Sequence, residues 1–190
     1  FIYAMVLFTW GERFIAANDV NNGVHVSETA KAIGFAEGDR VVAVNGNPVG
    51  SEVTYGDLSA RFLLSDEPLL VQVTNNGAKR TVEIPEDFGK QMLANGEKSV
   101  FVERVPFYVD SILPKTPAAN SELQKNDQIV AVDSMDTPFF TDFTRAIDDR
   151  AGEEIALTVL REGQPIQVSL SVGENGKIGV ANRSPLAYFD

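Results

Sequence analysis

Ala30 to Gly46 reads AKAIGFAEGDRVVAVNG, and Ala118 to Ser134 reads AANSELQKNDQIVAVDS. The two stretches align without a gap at an offset of 88 residues (127 − 39 for Asp39 and Asp127), and five of the seventeen aligned positions are identical. Solenoid repeats recur about every 20–50 residues, so this longer period indicates two copies of one small domain. The function of the chain must therefore be sought in a duplicated module.

The composition argues against several classes of function. The chain has 190 residues, with 16 basic and 27 acidic side chains, a net charge of −11 and no cysteine. A nucleic-acid-binding surface needs clustered lysines and arginines to displace phosphate counterions, and the sequence has no such cluster. The same acidity disfavours adsorption to anionic lipid. The absence of cysteine excludes a disulfide framework and thiolate catalysis.

The first copy predicts a short helix, a buried strand, a longer helix and a hairpin, in that order. Ser27 is a suitable N-cap for the short helix. The continuous apolar run Val41 to Val44 predicts a strand that is buried on both faces. A longer helix is predicted over Asp57 to Leu64. Alternating residues on either side of Asn76-Gly77 then predict a hairpin with one wet face.

The second copy repeats this order. Its longer helix is predicted over Asp142 to Ala151, its hairpin turns at Glu162-Gly163, and Lys177 to Val180 gives a last short strand. The join between the copies, Pro85 to Lys98, is short and polar and predicts a linker. We therefore expect a mostly β, α+β chain built of two tandem, partly open β-barrels, each capped by two helices.

The N-terminal segment, Phe1 to Trp10, reads FIYAMVLFTW and carries no charge. Crossing a bilayer takes about 20 apolar residues, so ten are too few on their own. One interpretation is the trailing half of a transmembrane helix, with Trp10 at the interface, where aromatic residues are enriched. The other is a buried edge strand or helix of the first domain.

The repeated elements resemble the bacterial PDZ domain. In copy one the resemblance is carried by Thr29-Ala30, Gly34-Phe35, Gly38-Asp39 and the strand that ends in Asn45-Gly46. In copy two it is carried by Pro117-Ala118, Leu123, Asp127 and the strand before Asp133-Ser134, with Asn126 and Ser134 in place of two glycines. The resemblance implies one PDZ-like domain over residues 11–92 and another over 93–182, with a tail over 183–190 toward a next membrane segment.

An apolar stub followed by two PDZ-like domains is similar to the periplasmic region of bacterial site-2 proteases of the RseP type. This resemblance implies a non-catalytic, regulatory tandem at the periplasmic face of the inner membrane, within a multi-pass protease that acts in regulated intramembrane proteolysis. Its partners would be the rest of that protease and pre-cleaved transmembrane or exported substrates, which it would filter by size, bind through a hydrophobic C-terminus, or both.

The zinc of such a protease would lie outside this chain. Zinc metalloproteases of this type hold the metal through an HExxH motif on a helix, and this chain has a single histidine, His25. We therefore predict no catalytic residue, no metal ligand and no cofactor within it, with zinc expected in the parent protease. His25 is predicted to be a surface residue of a strand.

PDZ domains bind an extended peptide by adding it as a strand to a sheet edge beside a helix, so the resemblance implies a groove in each copy. In copy two we expect the groove to be formed by Phe107, Tyr108, Val109, Ile112, Phe143, Ile147 and Arg150. In copy one we expect Gly23, Val24, Leu58 and Phe62. Copy two is predicted to be the better site because its edge segment is longer and carries aromatic residues. Ordinary core packing is the alternative for the apolar members of both sets.

Two other function classes stay open at this point. One is a peptide-binding scaffold attached to an exported serine protease or chaperone; the apolar stub favours the membrane protease over it, because a soluble serine protease has a catalytic barrel upstream. The other is a self-contained hydrolase. Ser111 or Ser121 would then need a general base, and the one histidine is isolated from both in the sequence. Metal-independent peptidase turnover by the chain would identify this third class.

Overall fold

The computed structural model of the protein describes residues 14–188, which divide into two compact units. Unit 1 ends at Glu103 and includes Tyr188, and unit 2 is Arg104–Ala187. The apolar stub, Phe1 to Trp10, lies outside the described residues. Among residues 14–188 the helices are all too short or too polar to cross a membrane.

Unit 1 combines short helices with two groups of antiparallel strands. After a 3-10 turn at Ala17–Asp19, its elements in chain order are β1 (Val24–Val26), α1 (Glu28–Ala32), β2 (Arg40–Val44), β3 (Asn47–Pro48), α2 (Tyr55–Leu64), β4 (Leu69–Asn75), β5 (Ala78–Ile84), α3 (Phe88–Ala94) and β6 (Phe101–Glu103). One sheet has the order β3-β2-β4-β5, and β1 pairs with β6 separately. A bridge between Val24 and Asp39 connects the two groups.

Local sequence signals set the longer helix and the hairpin of unit 1. Thr54 and Asp57 form a capping box, in which each side chain accepts a hydrogen bond from the backbone N–H of the other residue. The helix predicted over Asp57 to Leu64 is confirmed, with a start at Tyr55. Asn76 and Gly77 have φ values of 47° and 82°, which give the two-residue turn that suits twisted antiparallel strands.

The segment predicted to be a polar linker contains helix α3. Phe88 and Met92 of this helix are fully buried in the core of unit 1. A Cβ on Gly89 would lie 2.1 Å from the carbonyl oxygen of Leu63, so α3 approaches α2 more closely than any residue with a side chain permits. The linker prediction is wrong because two buried apolar residues in a seven-residue helix give too little periodic pattern to recognise.

Unit 2 is built around one antiparallel sheet. Its elements are β7 (Phe107–Ile112), a 3-10 turn (Ala118–Asn120), β8 (Gln128–Val132), β9 (Met135–Asp136), α4 (Phe140–Ala146), β10 (Glu154–Arg161), β11 (Gln164–Ser171) and β12 (Val180–Asn182). The sheet order is β11-β10-β8-β7-β12, with β9 paired to β8. The helix predicted over Asp142 to Ala151 is shorter at its C-terminus, since Asp149 takes a φ of 59° that no helix continues. Another 3-10 turn, Pro185–Tyr188, follows β12.

The order of the central strands is the same in both units. The sequence β3-β2-β4-β5 in unit 1 corresponds to β9-β8-β10-β11 in unit 2. In each unit a short strand after the hairpin pairs with the first strand: β6 with β1, and β12 with β7. Because β6 pairs with β1, the units divide after Glu103, whereas the sequence placed the domain boundary after residue 92.

The repeated residues Asp39 and Asp127 anchor equivalent loops. Each carboxylate is fully buried, and each accepts a hydrogen bond of 2.8 Å from the N–H of the residue three positions earlier. Arg80 forms an ion pair with Asp39, and Arg161 forms one with Asp127. A buried carboxylate requires such partners, because an unpaired charge in the interior is costly.

The two arginines come from opposite strands of the hairpin. Arg80 lies on β5, the second strand, whereas Arg161 is the last residue of β10, the first strand. Both guanidinium groups also donate to backbone carbonyls, of Gly34 and Glu122, which are again 88 residues apart (122 − 34). The guanidinium group therefore contacts the aspartate in both units but comes from a different strand in each. For this reason the aspartate repeats at the offset of 88 residues and the arginine does not.

A second repeated contact ties the turn after the buried strand to the hairpin. The N–H of Asn45 donates to the carbonyl of Leu70, and the N–H of Leu70 donates to the side-chain Oδ1 of Asn45. Asp133 makes the same two contacts with Ala156. Only Asp133 carries a charge, and it pairs with Arg150 at 2.8 Å. The hydrogen bonds from Ala156 and then from Arg150 hold the pKa of Asp133 below its usual value.

Candidate peptide-binding site

β7 has strand partners on both sides. Phe107 and Tyr108 pair with β8, while Val109 and Ile112 pair with β12. The prediction that this segment forms the exposed edge of copy two is therefore wrong. The physical reason is that the three-residue strand after the hairpin returns to β7 and covers its outer side.

The first strand of unit 1 is enclosed in the same way. Val24 pairs with Glu103 on one side and with Asp39 on the other. Gly23 has a φ of 66°, and a Cβ there would lie 2.2 Å from the carbonyl oxygen of Gly38. This glycine therefore permits two backbone segments to approach each other. The predicted edge role of Gly23 and Val24 is wrong for these reasons.

The described sheet of unit 2 ends at β12. The N–H of Leu113 donates to the carbonyl of Gly179 at 2.9 Å, so the backbone of residue 179 faces β7. Successive residues of an antiparallel strand direct their N–H and C=O groups to alternate sides. The N–H and C=O of Val180 therefore face away from β7, where an added strand would bind.

Half-buried apolar side chains lie on β12, on β7 and at the start of α4. Val180, Ile112 and Phe140 pack against the core of unit 2 and remain partly exposed. Helix α4 is fixed at its start because the N–H of Phe140 donates to the carbonyl of Val105 at 2.9 Å. The ring of Phe140 also contacts that of Phe107, with centroids 4.9 Å apart. A strand edge and a helix with partly exposed apolar side chains provide the two walls that an extended peptide requires.

The corresponding edge of unit 1 is filled. The N–H of Ser27 donates to the carbonyl of Val100, so Phe101 on β6 takes the position that Val180 has on β12. Phe101 is only 4% exposed, and its carbonyl oxygen accepts a hydrogen bond of 2.6 Å from the Ser99 hydroxyl. Its ring contacts three aromatic side chains at centroid distances of 5.3–5.7 Å, those of Phe35, Tyr55 and Phe62.

Most of the predicted groove residues belong to the two cores. Seven of them are no more than 5% exposed: Val24, Leu58, Phe62, Phe107, Val109, Phe143 and Ile147. These seven side chains pack in the hydrophobic cores of the two units, which is the alternative given above for the apolar residues. Tyr108 is half-buried, and the guanidinium of Arg183 lies 4.8 Å from its ring centroid. Two half-buried members of the predicted set contact β12: Ile112 pairs with Val180, and the N–H of Tyr108 donates to Oδ1 of Asn182 at 3.1 Å.

Arg150 lies beyond the end of α4. It donates to Asp133 at 2.8 Å and to Glu153 at 2.9 Å. The hydrogen bond to Glu153, followed by that to Asp133, raises the pKa of Arg150. Its predicted place on the groove-facing side of the helix is wrong, because α4 ends at Ala146.

His25 belongs to an ion-pair cluster on unit 1. Its Nδ1 lies 2.7 Å from the Glu37 carboxylate, and the Lys31 ammonium lies 3.1 Å from the same group. Burial raises the pKa of Glu37, but the hydrogen bonds from His25 and then Lys31 outweigh this effect and the pKa is lowered. Over residues 14–188, no group of three or more histidine, cysteine, aspartate or glutamate side chains is placed to hold a metal ion.

The residues that form the candidate edge were not predicted as site residues. They are Phe140, Ile178, Val180, Ala181 and Asn182. The sequence identified Lys177 to Val180 only as a last strand. The sequence feature that could have drawn attention to this strand is the glycine at position 179. Gly179 has a φ of 87°, and a Cβ there would lie 2.2 Å from the Cβ of Thr116.

A comparison with protein families identifies one part of the chain. Residues 92–172 match the family described as PDZ domain. The PDZ domain of an SdrC-like protein from Listeria innocua is 20% identical and covers 42% of this chain and 96% of its own, with a TM-score of 0.37. The equivalent domain from Listeria monocytogenes is 21% identical and covers 40% and 85%, with a TM-score of 0.35. No curated protein matches the chain.

Residues 92–172 are thus a PDZ domain, a peptide-binding module without catalytic activity of its own. The match includes β7 to β11 and ends before β12. The closing strand that supplies the open edge therefore lies outside the matched range.

Proposed function

We propose that the chain is a PDZ tandem in which unit 2 is the peptide receptor. An extended peptide would add antiparallel to β12, in the space beside α4, and place alternate side chains against Val180 and Phe140. The observation that carries this proposal is the outward direction of the Val180 backbone groups at the end of the sheet. Main-chain hydrogen bonds would supply affinity, and the half-buried apolar side chains would select hydrophobic residues of the peptide.

In this proposal unit 1 has the same fold but no receptor function. Phe101 occupies the space beside α2, and the Ser99 hydroxyl takes up its outward-facing carbonyl. A peptide could bind there only if a buried aromatic side chain left its cluster. Unit 1 would instead contribute bulk, which is the property that a size filter requires.

The proposal is tested by titrating the chain with a peptide that ends in apolar residues, followed by NMR. We expect shift changes in β12 and α4 and none in β6. A peptide N-methylated at the backbone positions that face β12 should bind about tenfold more weakly or worse, because each lost hydrogen bond to a strand edge lowers affinity. Val180→Pro should give the same loss, since it removes an N–H that faces away from β7.

Leu113→Ala is a matched control, since it shortens an exposed side chain near the edge and leaves the β12 backbone unchanged. Shift changes confined to β6, or equal affinity for the N-methylated peptide, would overturn the assignment of the receptor to β12. The N-methylated peptide is used with the unaltered chain, so it tests the role of β12 even if Val180→Pro disturbs the fold.

We further propose that the parent protein is a site-2 protease of the RseP type. The tandem would stand at the periplasmic face of the bacterial inner membrane and would bind or filter pre-cleaved membrane substrates through their hydrophobic C-termini. Support comes from the apolar stub before the two units and from the resemblance given above. Zinc would be held elsewhere in the parent, by an HExxH motif.

The polypeptide sequence that precedes Phe1 in the native protein tests this context. We expect an HExxH motif within a hydrophobic helix. A serine-protease barrel in that place would instead support the scaffold function. Either outcome leaves the peptide-binding proposal for unit 2 to be decided by its own titration.

A further inference from the structure

β11, at the opposite end of the unit 2 sheet from β12, lacks the charges that its counterpart in unit 1 carries. β11 reads QPIQVSLS and has no charged residue, whereas β5 contains Lys79, Arg80 and Glu83. Proteins protect edge strands with charged side chains because an unprotected edge pairs with another chain. In a chain of which 23% is charged, an eight-residue edge without a charge is a surface suited to strand pairing.

Hydrogen bonds on β10 show that Ser169 faces outward. Ser169 lies opposite Ala156 in the hairpin. Both the N–H and the C=O of Ala156 are bonded to Asp133, on the side away from β11. The pair Ala156–Ser169 is therefore a non-hydrogen-bonded pair, and the backbone groups of Ser169 point away from β10.

The same alternation sets the rest of the edge. Val172 is bonded inward, since its N–H donates to Glu153 and its C=O accepts from Gly152. Gln167 and Ser171 therefore face outward together with Ser169. Pro165 belongs to the same outward-facing set, so its missing N–H removes no bond to β10 but also offers a partner strand no donor. Pairing is therefore limited to Gln167, Ser169 and Ser171.

The space beside the edge is open within the described structure. A cleft of about 430 Å³ borders the C-terminal half of β11, between Ser169 to Ser171 and the loop that carries Thr116, Pro117 and Ser121. The described residues of unit 2 thus leave a cleft beside Ser169 and Ser171, two of the outward-facing residues.

We propose that β11 pairs with β11 of a second copy of this chain, antiparallel about a two-fold axis at Ser169. Gln167 then lies opposite Ser171 of the other copy, and the outward-facing residues form about six backbone hydrogen bonds. On the core side of the sheet, Val168 lies opposite Leu170, and both are apolar. A two-fold interface of this kind uses the same surface on both copies and closes at a dimer.

Self-complementarity is the reason for choosing a second copy as the partner. Ser169 and Glu83 occupy equivalent positions in the two hairpins. Ser169 lies six residues after the turn residue Gly163, and Glu83 lies six residues after the turn residue Gly77. The same pairing through β5 would therefore set Glu83 opposite itself, and like charges directly opposite are destabilising. Two copies of the chain repel each other because each has a net charge of −11. Pairing through β11 adds no further like-charge contact, because β11 has no charged residue.

Sedimentation equilibrium of the whole chain over a concentration series tests the proposal. We expect a reversible monomer–dimer equilibrium. Ser169→Glu, which installs the residue of unit 1, should raise the dimer dissociation constant about tenfold or more, because it places like charges opposite each other. Gln72→Glu is the matched control: it adds the same charge at an exposed position of the inner strand β4, and it should leave the constant within about twofold.

Oxidative cross-linking tests the register. The chain has no cysteine, so Ser169→Cys should give a disulfide-linked dimer, because a hydrogen-bonded pair has a Cα separation of about 5.5 Å. Gln164→Cys should not, since the two copies of residue 164 would be about 34 Å apart at about 3.4 Å per residue. A chain that stays monomeric at every concentration, a Ser169→Glu dimer as tight as the unaltered one, or equal cross-linking at both positions would overturn the proposal.

Discussion

Unit 1 and unit 2 share a strand order but differ at two strand edges: the edge beside the longer helix and the edge formed by the second strand of the hairpin. Beside the longer helix, unit 1 has the buried ring of Phe101 where unit 2 has the half-buried Val180. At the hairpin edge, unit 1 has Glu83 where unit 2 has Ser169. The topology thus fixes where the edges lie, and single side chains decide whether an edge is filled, charged or open.

The comparison also separates residues that maintain the fold from those that differ for function. Asp39 and Asp127 are equivalent in position, burial and guanidinium partner. These contacts hold the loops of both units, whatever either unit binds. The positions that differ, at the two edges, are therefore the better guide to function than the positions that repeat.

The largest expected effect concerns the buried aspartates. Both oxygens of Asp127 accept from Arg161, so Asp127→Asn turns an N–H₂ toward the guanidinium and should cost about 3–5 kcal/mol of unfolding free energy. Asp39→Asn should cost roughly half as much, because Oδ1 of Asp39 accepts from the Asn75 amide, so the new N–H₂ would face a neutral donor and not a guanidinium.

Urea unfolding, followed through amide resonances of each unit, measures both costs. Asp110→Asn is the control, since the pair that it breaks with Lys125 is exposed and is worth under about 1 kcal/mol. Equal costs at positions 39 and 127 would show that the two anchors are energetically alike despite their different partners.

A medium effect is expected at the loop before β12. Gly179→Ala introduces a Cβ 2.2 Å from the Cβ of Thr116 at a φ of 87°. The left-handed conformation and the overpacking together should destabilise unit 2 by about 2–4 kcal/mol. Gly176→Ala has a similar φ of 72° but open space around it, so it should cost only about 1–2 kcal/mol. Thermal unfolding compares the two, and equal shifts in Tm would rule out the close approach to Thr116 as the cause.

The smallest effect is expected at Asp133, where unit 1 has Asn45. The lowered pKa of Asp133 means that its contribution to stability is present above the ordinary carboxyl pKa and is lost as the pH falls through the folded-state value. Asp133→Asn should therefore destabilise unit 2 slightly near pH 7, by no more than an exposed ion pair contributes, and this difference should disappear as the pH falls through the folded-state pKa of Asp133.

Unfolding curves of the chain and of Asp133→Asn at several pH values check this expectation. Asp149→Asn removes another exposed carboxylate of unit 2 and serves as the control for net charge. A difference between the chain and Asp133→Asn that persists at acid pH would assign the effect to the turn geometry and not to the charge.

Local signals were sufficient for much of the fold. The longer helix of unit 1, the two-residue turns at Asn76-Gly77 and Glu162-Gly163, and the apolar runs of β2 and β8 depend on neighbouring residues, so the sequence predicted those elements. That copy two has the better groove stays a prediction.

The strand that forms the edge could not be predicted from local signals. β6 and β12 have three residues each, and a three-residue strand shows no pattern of its own. Each pairs with a strand far back in the sequence, so its position depends on long-range contacts. Phe107 and Val109 looked like edge residues because their strand was the first apolar segment of its copy, and nothing nearby indicates that β12 covers it.

The membership of β6 in unit 1 has a consequence for any dissection of the chain. Val100 and Phe101 complete the interior of unit 1, although they stand directly before Arg104, where unit 2 starts. A fragment that stopped at residue 92 would lose both side chains and leave the rings of Phe35 and Phe62 facing water. A fragment that started there would carry the same two apolar residues without anything to cover them. Expression of either half alone therefore requires the cut to fall after Glu103.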